Sequence, residues 1–189
     1  MAQKRKDWNG LISGFKASDL VFLDESGCNT DMTRRYAYSL GGSRAVDSAP
    51  LSKPKNTTIL PSIQLDGTLR YTTFSAGTTV ERFKRYLETD LLPHLNGNSV
   101  LIMDNMKSHH ARAVRNLLDS SEVRCIYLPP YSPDLNPIEK LWSKVKSFLR
   151  KFKARTLDAL PNAIQCAFQI VSPSACSGWF HSCGYSPYF

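Results

Sequence analysis

Leu20-Val21-Phe22-Leu23-Asp24-Glu25-Ser26-Gly27 is the stretch on which the fold turns. Four consecutive apolar residues without polar alternation suit a strand buried on both faces, and such strands belong to sheets covered by helices on each side. The run stops on an acid. The pattern recurs further on, where Ser99-Val100-Leu101-Ile102-Met103 ends on Asp104. In α/β sheets ligands gather at the carboxyl ends of strands. Two strands that each deliver an aspartate there mark one edge of the sheet as a candidate site. Either aspartate alone also fits a turn that closes a strand; the matched pair is the signal.

Working outward, residues 57–64 and 69–74 are β-rich and separated by Asp66-Gly67, a strong hairpin signal. Thr78-Thr79-Val80-Glu81 has the form of a capping box opening a helix, with Val80, Phe83, Leu87 and Leu91 as its apolar face and Pro93 after its end. Ser108 is placed to cap a helix through about 118, and 123–128 reads as another strand. Pro129-Pro130-Tyr131-Ser132-Pro133 reads as a stiff, extended connection. Asn136-Pro137 then supplies an N-cap and a first-turn proline for a strong helix. A last helix over about 156–171 precedes a Cys/Gly/aromatic tail. Residues 1–18 read as a basic lead-in, 19–189 as one domain, and 28–55, rich in Gly, Ser, Pro and Arg, as a long inserted loop. This order predicts an α/β fold, a mixed sheet flanked by helices.

The chain has 189 residues, enough for one well-buried core, and 42% of them are hydrophobic. Lys plus Arg number 24 against 16 Asp plus Glu, a net charge of +8 that favours a polyanionic partner. No apolar run approaches the roughly 20 residues that span a bilayer, and the N-terminus lacks a signal-peptide core. Five scattered cysteines, an odd number, argue against a disulfide framework, and Cys176, His181 and Cys183 fit buried thiols better than a zinc site. A cytoplasmic location is expected.

A third carboxylate, Glu139, lies three residues after Asn136 and on local sequence equally well completes a capping box with the Asn136 amide. The rest of the helix points further. Ile138, Leu141, Trp142, Val145, Leu149 and Phe152 form one apolar arc, whereas Glu139, Ser143, Lys146, Arg150 and Lys153 share a separate polar stripe. A carboxylate heading a row of cations suits a surface shared by a metal and a phosphate backbone. A solvated helix face explains each cation equally well on its own. Clustered carboxylates repel unless cations neutralise them, and a small set of hard oxygen ligands suits Mg²⁺ or Mn²⁺.

The segments Val21-Phe22-Leu23-Asp24-Glu25-Ser26-Gly27, Leu101-Ile102-Met103-Asp104-Asn105 and Pro130-Tyr131-Ser132-Pro133-Asp134-Leu135-Asn136-Pro137-Ile138-Glu139-Lys140-Leu141-Trp142 resemble the three catalytic blocks of DDE transposases. The resemblance is to the mariner superfamily and its bacterial insertion-sequence branch, in which the 34 residues between Asp104 and Glu139 are a typical spacing. It implies an RNase H-like (retroviral integrase-like) fold, with a five-stranded mixed sheet whose first three strands are antiparallel. It implies Asp24, Asp104 and Glu139 as catalytic residues holding two Mg²⁺, with Mn²⁺ as a substitute. It further implies hydrolysis at element ends and transfer of the 3′-hydroxyl into target DNA, usually at a TA dinucleotide.

By the same resemblance 28–55 occupies the place of a dimer-contacting loop, in which Arg34, Arg35, Arg44, Lys53 and Lys55 are candidate DNA or protein contacts. Expected partners are element-end and target DNA and a second copy of the chain, in a nucleoid-associated bacterial setting. Full-length members carry an N-terminal helix-turn-helix, for which the 18 residues before the first strand are too few. A fragment, a decayed copy, or a partner half encoded separately is expected. Two alternatives stay open: a catalytically idle DNA-binding or dimerisation relic, and another RNase H-like nuclease. Roles for Asn105, His109 and His110 are not assigned, the histidines reading as packing or capping residues.

Overall fold

The computed structural model describes residues 2–34, 36–51 and 53–185. Its elements are α1 (Ala2–Ile12), β1 (Leu20–Leu23), β2 (Ser26–Asn29), β3 (Asn56–Gln64), β4 (Leu69–Ser75), α2 (Val80–Tyr86), β5 (Val100–Met103), α3 (Arg112–Ser120), β6 (Arg124–Tyr127), α4 (Pro137–Phe152), α5 (Ala159–Gln169) and α6 (Pro173–Ser182). The two apolar runs are neighbours: β1 and β5 pair in parallel at the centre of one sheet, with β6 parallel on the far side of β5. On the other side β1 pairs antiparallel with β3, and β3 with β4.

The sheet has six strands where five are expected. β1 and β2 both pair with β3 in one unbroken register, from Val21 opposite Gln64 to Asn29 opposite Asn56. They are one strand interrupted at Asp24-Glu25, and the register sets Asp24 opposite Pro61. The Asp24 N–H donates to the Pro61 carbonyl at a long 3.4 Å. Proline has no N–H to return the bond, so the ladder fails there. Counted by rows, the sheet is the expected mixed sheet with three antiparallel strands leading.

Side chains of β1 alternate between two cores. Leu20 and Phe22 join α1, α4, α5 and α6 on one face, and Val21 and Leu23 join α2, α3 and the π-helical turn Leu87–Leu91 on the other. All four are at most 1% exposed, which is why the run shows no alternation. Burying a side chain of this size contributes about 1.5–3 kcal/mol.

Local chemistry differs from the sequence reading at several points. The 1–18 stretch, read as a lead-in, contains α1, which buries Trp8 in the core. The cap of α2 is Thr79, whose hydroxyl accepts from the Arg82 amide at 3.3 Å, and not Thr78, whose buried hydroxyl has no partner among the described residues. Ser108 does not cap α3: its hydroxyl is also buried without a partner, and α3 starts after Ala111. The tail carries α6, opened by Ser172-Pro173 in the same way as Asn136-Pro137 opens α4; the Ser172 hydroxyl accepts from the Ala175 amide. Phe180 of α6 packs edge-on against Phe22 with centroids 5.3 Å apart. The proline-rich connection is not extended, since Tyr131 takes a left-handed φ of 55° and Pro133–Leu135 forms a 3-10 turn. The cysteines are free, and no described helix is long and apolar enough to cross a membrane.

Candidate active site

Each β1 residue lies opposite the β5 residue 80 positions on, as in Leu20–Val100, Val21–Leu101 and Phe22–Ile102. Two residues beyond Phe22–Ile102 the same register brings Asp24 level with Asp104, at the carboxyl ends of adjacent parallel strands. Glu139 arrives from the first turn of α4, where the positive end of the helix dipole favours a carboxylate. All three carboxylates line one cavity of about 420 Å³, closed on its other side by Pro129, Pro130 and Tyr131.

Asn136 connects the helix to the strand. Its carbonyl oxygen accepts from the Ile138 amide at 3.3 Å, capping α4, while its amide nitrogen donates to Asp24 Oδ2 at 3.3 Å. The Asn136 backbone N–H donates to the Pro133 carbonyl. That donor is thus committed elsewhere, and the reciprocal capping box that Glu139 could have closed does not hold it. Glu139 is exposed to the cavity.

Asp24 is 9% exposed. Burial, opposed by the Glu25 amide and reinforced by the charges of Asp104 and Glu139, pushes its carboxyl up to about 7. The buried Trp142 indole N–H lowers it weakly from nearby, without hydrogen-bond geometry to any described partner. Asp104 goes the other way: partial burial opposes ionisation, but bonds from His109 and the Met106 amide outweigh it and hold the carboxyl below its ordinary range. His109 Nδ1 lies 2.8 Å from Asp104 Oδ1, and the ring is fully buried and stacked on Phe83 at 4.3 Å. Asn105 donates to the Leu128 carbonyl at 2.6 Å, tying the β5 end to the β6 end, and His110 stacks on Tyr127.

Among the described residues no three His, Cys, Asp or Glu side chains converge closely enough to hold an ion together. The reason is visible: Asp24 is engaged by Glu25 and Asn136, and Asp104 by His109. The donor set nonetheless fits a hard divalent cation. Three carboxylate groups share a cavity without a cation in its lining, and the raised Asp24 pKa reflects first its burial and then the neighbouring charges of Asp104 and Glu139, both of which a cation would offset.

The expected cations separate. Lys146 and Arg150 line a polar hollow of about 340 Å³ beside β2, with the Lys146 ammonium 5.9 Å from the Trp142 ring centroid. Lys153 turns away: it ends α4 in a left-handed conformation and pairs with Asp47 at 2.5 and 2.7 Å. Phe152, assigned to the apolar arc, is 43% exposed and meets Phe148 instead of the core. Arg34, Arg44, Lys53 and Lys55 are exposed on the long loop, which begins after β2, and Arg35 lies outside the described residues. Missed by the sequence reading were His109, Asn136 as a partner of Asp24, Arg5, which grips Asp134 and Ser132 from α1, and Arg155, which donates to the Thr30 and Met32 carbonyls. All act across more than 100 residues except His109, whose signal was its five-residue distance from Asp104.

A mixed sheet with this strand order, helices on both faces and carboxylates at the ends of its central strands defines an RNase H-like fold. Residues 19–161 match the DDE superfamily endonuclease family, and the chain belongs to it. Over 97 residues it is 29% identical to the transposable element Tc1 transposase of Caenorhabditis elegans, covering 49% of this chain and 36% of that protein. Its fold is similar to that of the Mos1 pre-cleavage transpososome, with a TM-score of 0.81 and 18% identity over 96% of this chain and 58% of the Mos1 chain. It is likewise similar to the mariner Mos1 paired-end complex with Mg, with a TM-score of 0.75, 17% identity, and coverage of 95% of this chain and 57% of the other. The chain thus spans less than two thirds of these relatives.

Proposed function

We propose that this chain is the catalytic portion of a transposase of the bacterial insertion-sequence type, cutting phosphodiesters at element ends and joining the 3′-hydroxyl to target DNA. The observation that carries this reading is the β1–β5 register, which levels Asp24 with Asp104 in the cavity that receives Glu139 from α4. Asp24, Asp104 and Glu139 would hold the metal, and the Mos1 complex solved with Mg supports magnesium, with two ions and Mn²⁺ as substitute carried over from the resemblance. Bound divalent cations there would activate the attacking hydroxyl and stabilise the leaving oxygen. Asn136 orients Asp24, and His109 orients Asp104. Lys146 and Arg150 neutralise the phosphates that flank the scissile bond.

Residues 36–51 belong to the same reading. Tyr36, Tyr38, Leu40, Val46 and Leu51 are 88–105% exposed, an apolar load that a free surface rarely carries. A second copy of the chain, assembled on DNA, is the occupant proposed for it.

Mn²⁺- or Mg²⁺-dependent nicking of plasmid and element-end DNA tests the proposal. Asp24→Asn, Asp104→Asn and Glu139→Gln should each abolish nicking and leave nonspecific DNA binding in place; substantial residual nicking in one removes that residue from the site. One observation favours the idle DNA-binding module instead, namely that Asp104 is committed to His109 and no described ligand set is closed. Absence of any metal-dependent nicking by the unaltered chain would select that module.

A further inference from the structure

The cleft does not end at the carboxylates. Pro133 and Glu139 also line a second hollow of about 850 Å³ that follows α4 toward α6. Lys140, Lys144 and Lys151 form its floor, at i, i+4 and i+11, on a stripe about 120° round the helix from Lys146 and Arg150. None of the three forms an ion pair among the described residues, and Glu139 is the one carboxylate in the lining. The wall is aromatic. Trp179 of α6 is partly exposed there, with the Lys144 ammonium 6.0 Å from its ring centroid, and Phe148 lies on the same side.

We infer that this hollow is a track for an unpaired DNA strand leading away from the carboxylates, an inference that rests on reading their cavity as a DNA-cleaving site. Three uncompensated lysines over about 16 Å of helix match a run of phosphates several nucleotides long. Cations alone would serve a duplex, whose bases are stacked on one another. A partly exposed indole beside those cations serves a strand whose bases are free to stack on protein. The shared Pro133 and Glu139 set the polarity: the strand enters the track at the reacting phosphate and runs toward Trp179.

The test uses the whole chain in EDTA, with intrinsic fluorescence as the readout. Trp8 and Trp142 are 3% and 4% exposed, so Trp179 is the indole that solvent and bases can reach. An oligothymidylate, and a duplex with a single-stranded tail, should quench the emission, and the tailed duplex should bind several-fold tighter than a blunt one. Trp179→Phe should abolish the quench, and Trp179→Leu should weaken binding of the tail by about tenfold. Replacing Lys140, Lys144 and Lys151 together by Gln should reduce the salt slope for single strands by about 2. Those lysines lie on the surface, so they keep the test valid if a Trp179 variant misfolds. Undiminished quenching in Trp179→Phe, equal affinity for blunt and tailed DNA, or an unchanged salt slope would each overturn the track. Metal-dependent nicking run in parallel separates the two readings: nicking by a chain whose track variants bind normally rejects the track alone, and tail binding without nicking rejects the catalytic site alone.

Discussion

Asp24→Asn should make the metal-free protein more stable, and increasingly so as the pH rises. The ordinary Asp pKa of 3.8 is pushed up to about 7 at Asp24, first by burial and then by Asp104 and Glu139. Each unit corresponds to about 1.4 kcal/mol, so ionised Asp24 disfavours the fold by up to about 4 kcal/mol. Relaxation of the cavity and entry of water reduce this to roughly 2 kcal/mol. The sign follows from linkage. A carboxyl whose folded pKa exceeds its unfolded value leaves stability intact below about pH 4 and erodes it as pH climbs through about 7. The asparagine removes that erosion. It also sets its own NH₂ near the Asn136 NH₂, a cost of about 1 kcal/mol, but that cost does not vary with pH. Urea melts of both proteins at pH 5, 6, 7 and 8 in EDTA measure the difference. The relative stability of the variant should rise by roughly 1 kcal/mol between pH 5 and 8, the first part of the erosion lying below pH 5, and this is equivalent to roughly 2–4 °C in Tm. Mg²⁺ at 100 times its Kd should stabilise the parent by about 2.7 kcal/mol and the variant hardly at all. A difference between the two proteins that stays flat with pH would refute the claim that burial and charge crowding at Asp24 make this a cation site.

Asn136→Ala should cost about 1–2 kcal/mol in urea melts, through the lost α4 cap and the lost Asp24 bond. Asn136→Asp, which retains the cap but faces Asp24 with a second acid, should be mild at pH 5 and severe at pH 8. Gly67→Ala should destabilise by about 2 kcal/mol or more, because Gly67 has φ +89° and a Cβ there would sit 2.9 Å from the Pro173 Cα; unaltered urea stability would contradict it. Asp47→Ala should leave Tm unchanged, as the Lys153–Asp47 pair is exposed, but should speed proteolytic cleavage within 36–51 by releasing the loop from α4. Cleavage at the parental rate would show that the ion pair does not restrain the loop.

The elements legible in the sequence were those whose signals are local. The β3–β4 hairpin could be read because Asp66-Gly67 forces a turn, and α4 because Asn136-Pro137 opens it and its apolar arc has helical period. The strand ends carrying Asp24 and Asp104 could be read because strands buried on both faces leave unmistakable runs. What escaped depended on distant partners. Residues 2–12 have no strong apolar face, and α1 is held through Trp8 and through Arg5 on Asp134 across the fold. α6 is weakly amphipathic and interrupted by Gly178, so its Ser172-Pro173 opening was the available clue. His109 could not be assigned from spacing alone, since the turn 106–109 must fold back before its ring reaches Asp104.

The position of the site follows from where local rules are broken. Pro61 stands inside β3, between β1 and β4, where a proline normally disrupts the ladder. Its carbonyl accepts from Asp24, so in an antiparallel pair its missing N–H also falls on the Asp24 side, and the pairing with β4 is spared. The break therefore costs the sheet a bond at one residue, and that residue is the buried acid. Tyr131, 84% exposed at the cavity mouth, adopts a left-handed backbone that a bulky residue avoids, and Asn136 divides its amide between a helix cap and a carboxylate. An unpaired strand residue, a strained loop residue and an ionisable group held near pH 7 all sit around one 420 Å³ cavity. Packing alone would favour Asn or Ser at 24 and Gly at 131. The departures make sense together if the cavity is built to receive positive charge, which would satisfy Asp24 and offset the strain that the remainder of the fold supports.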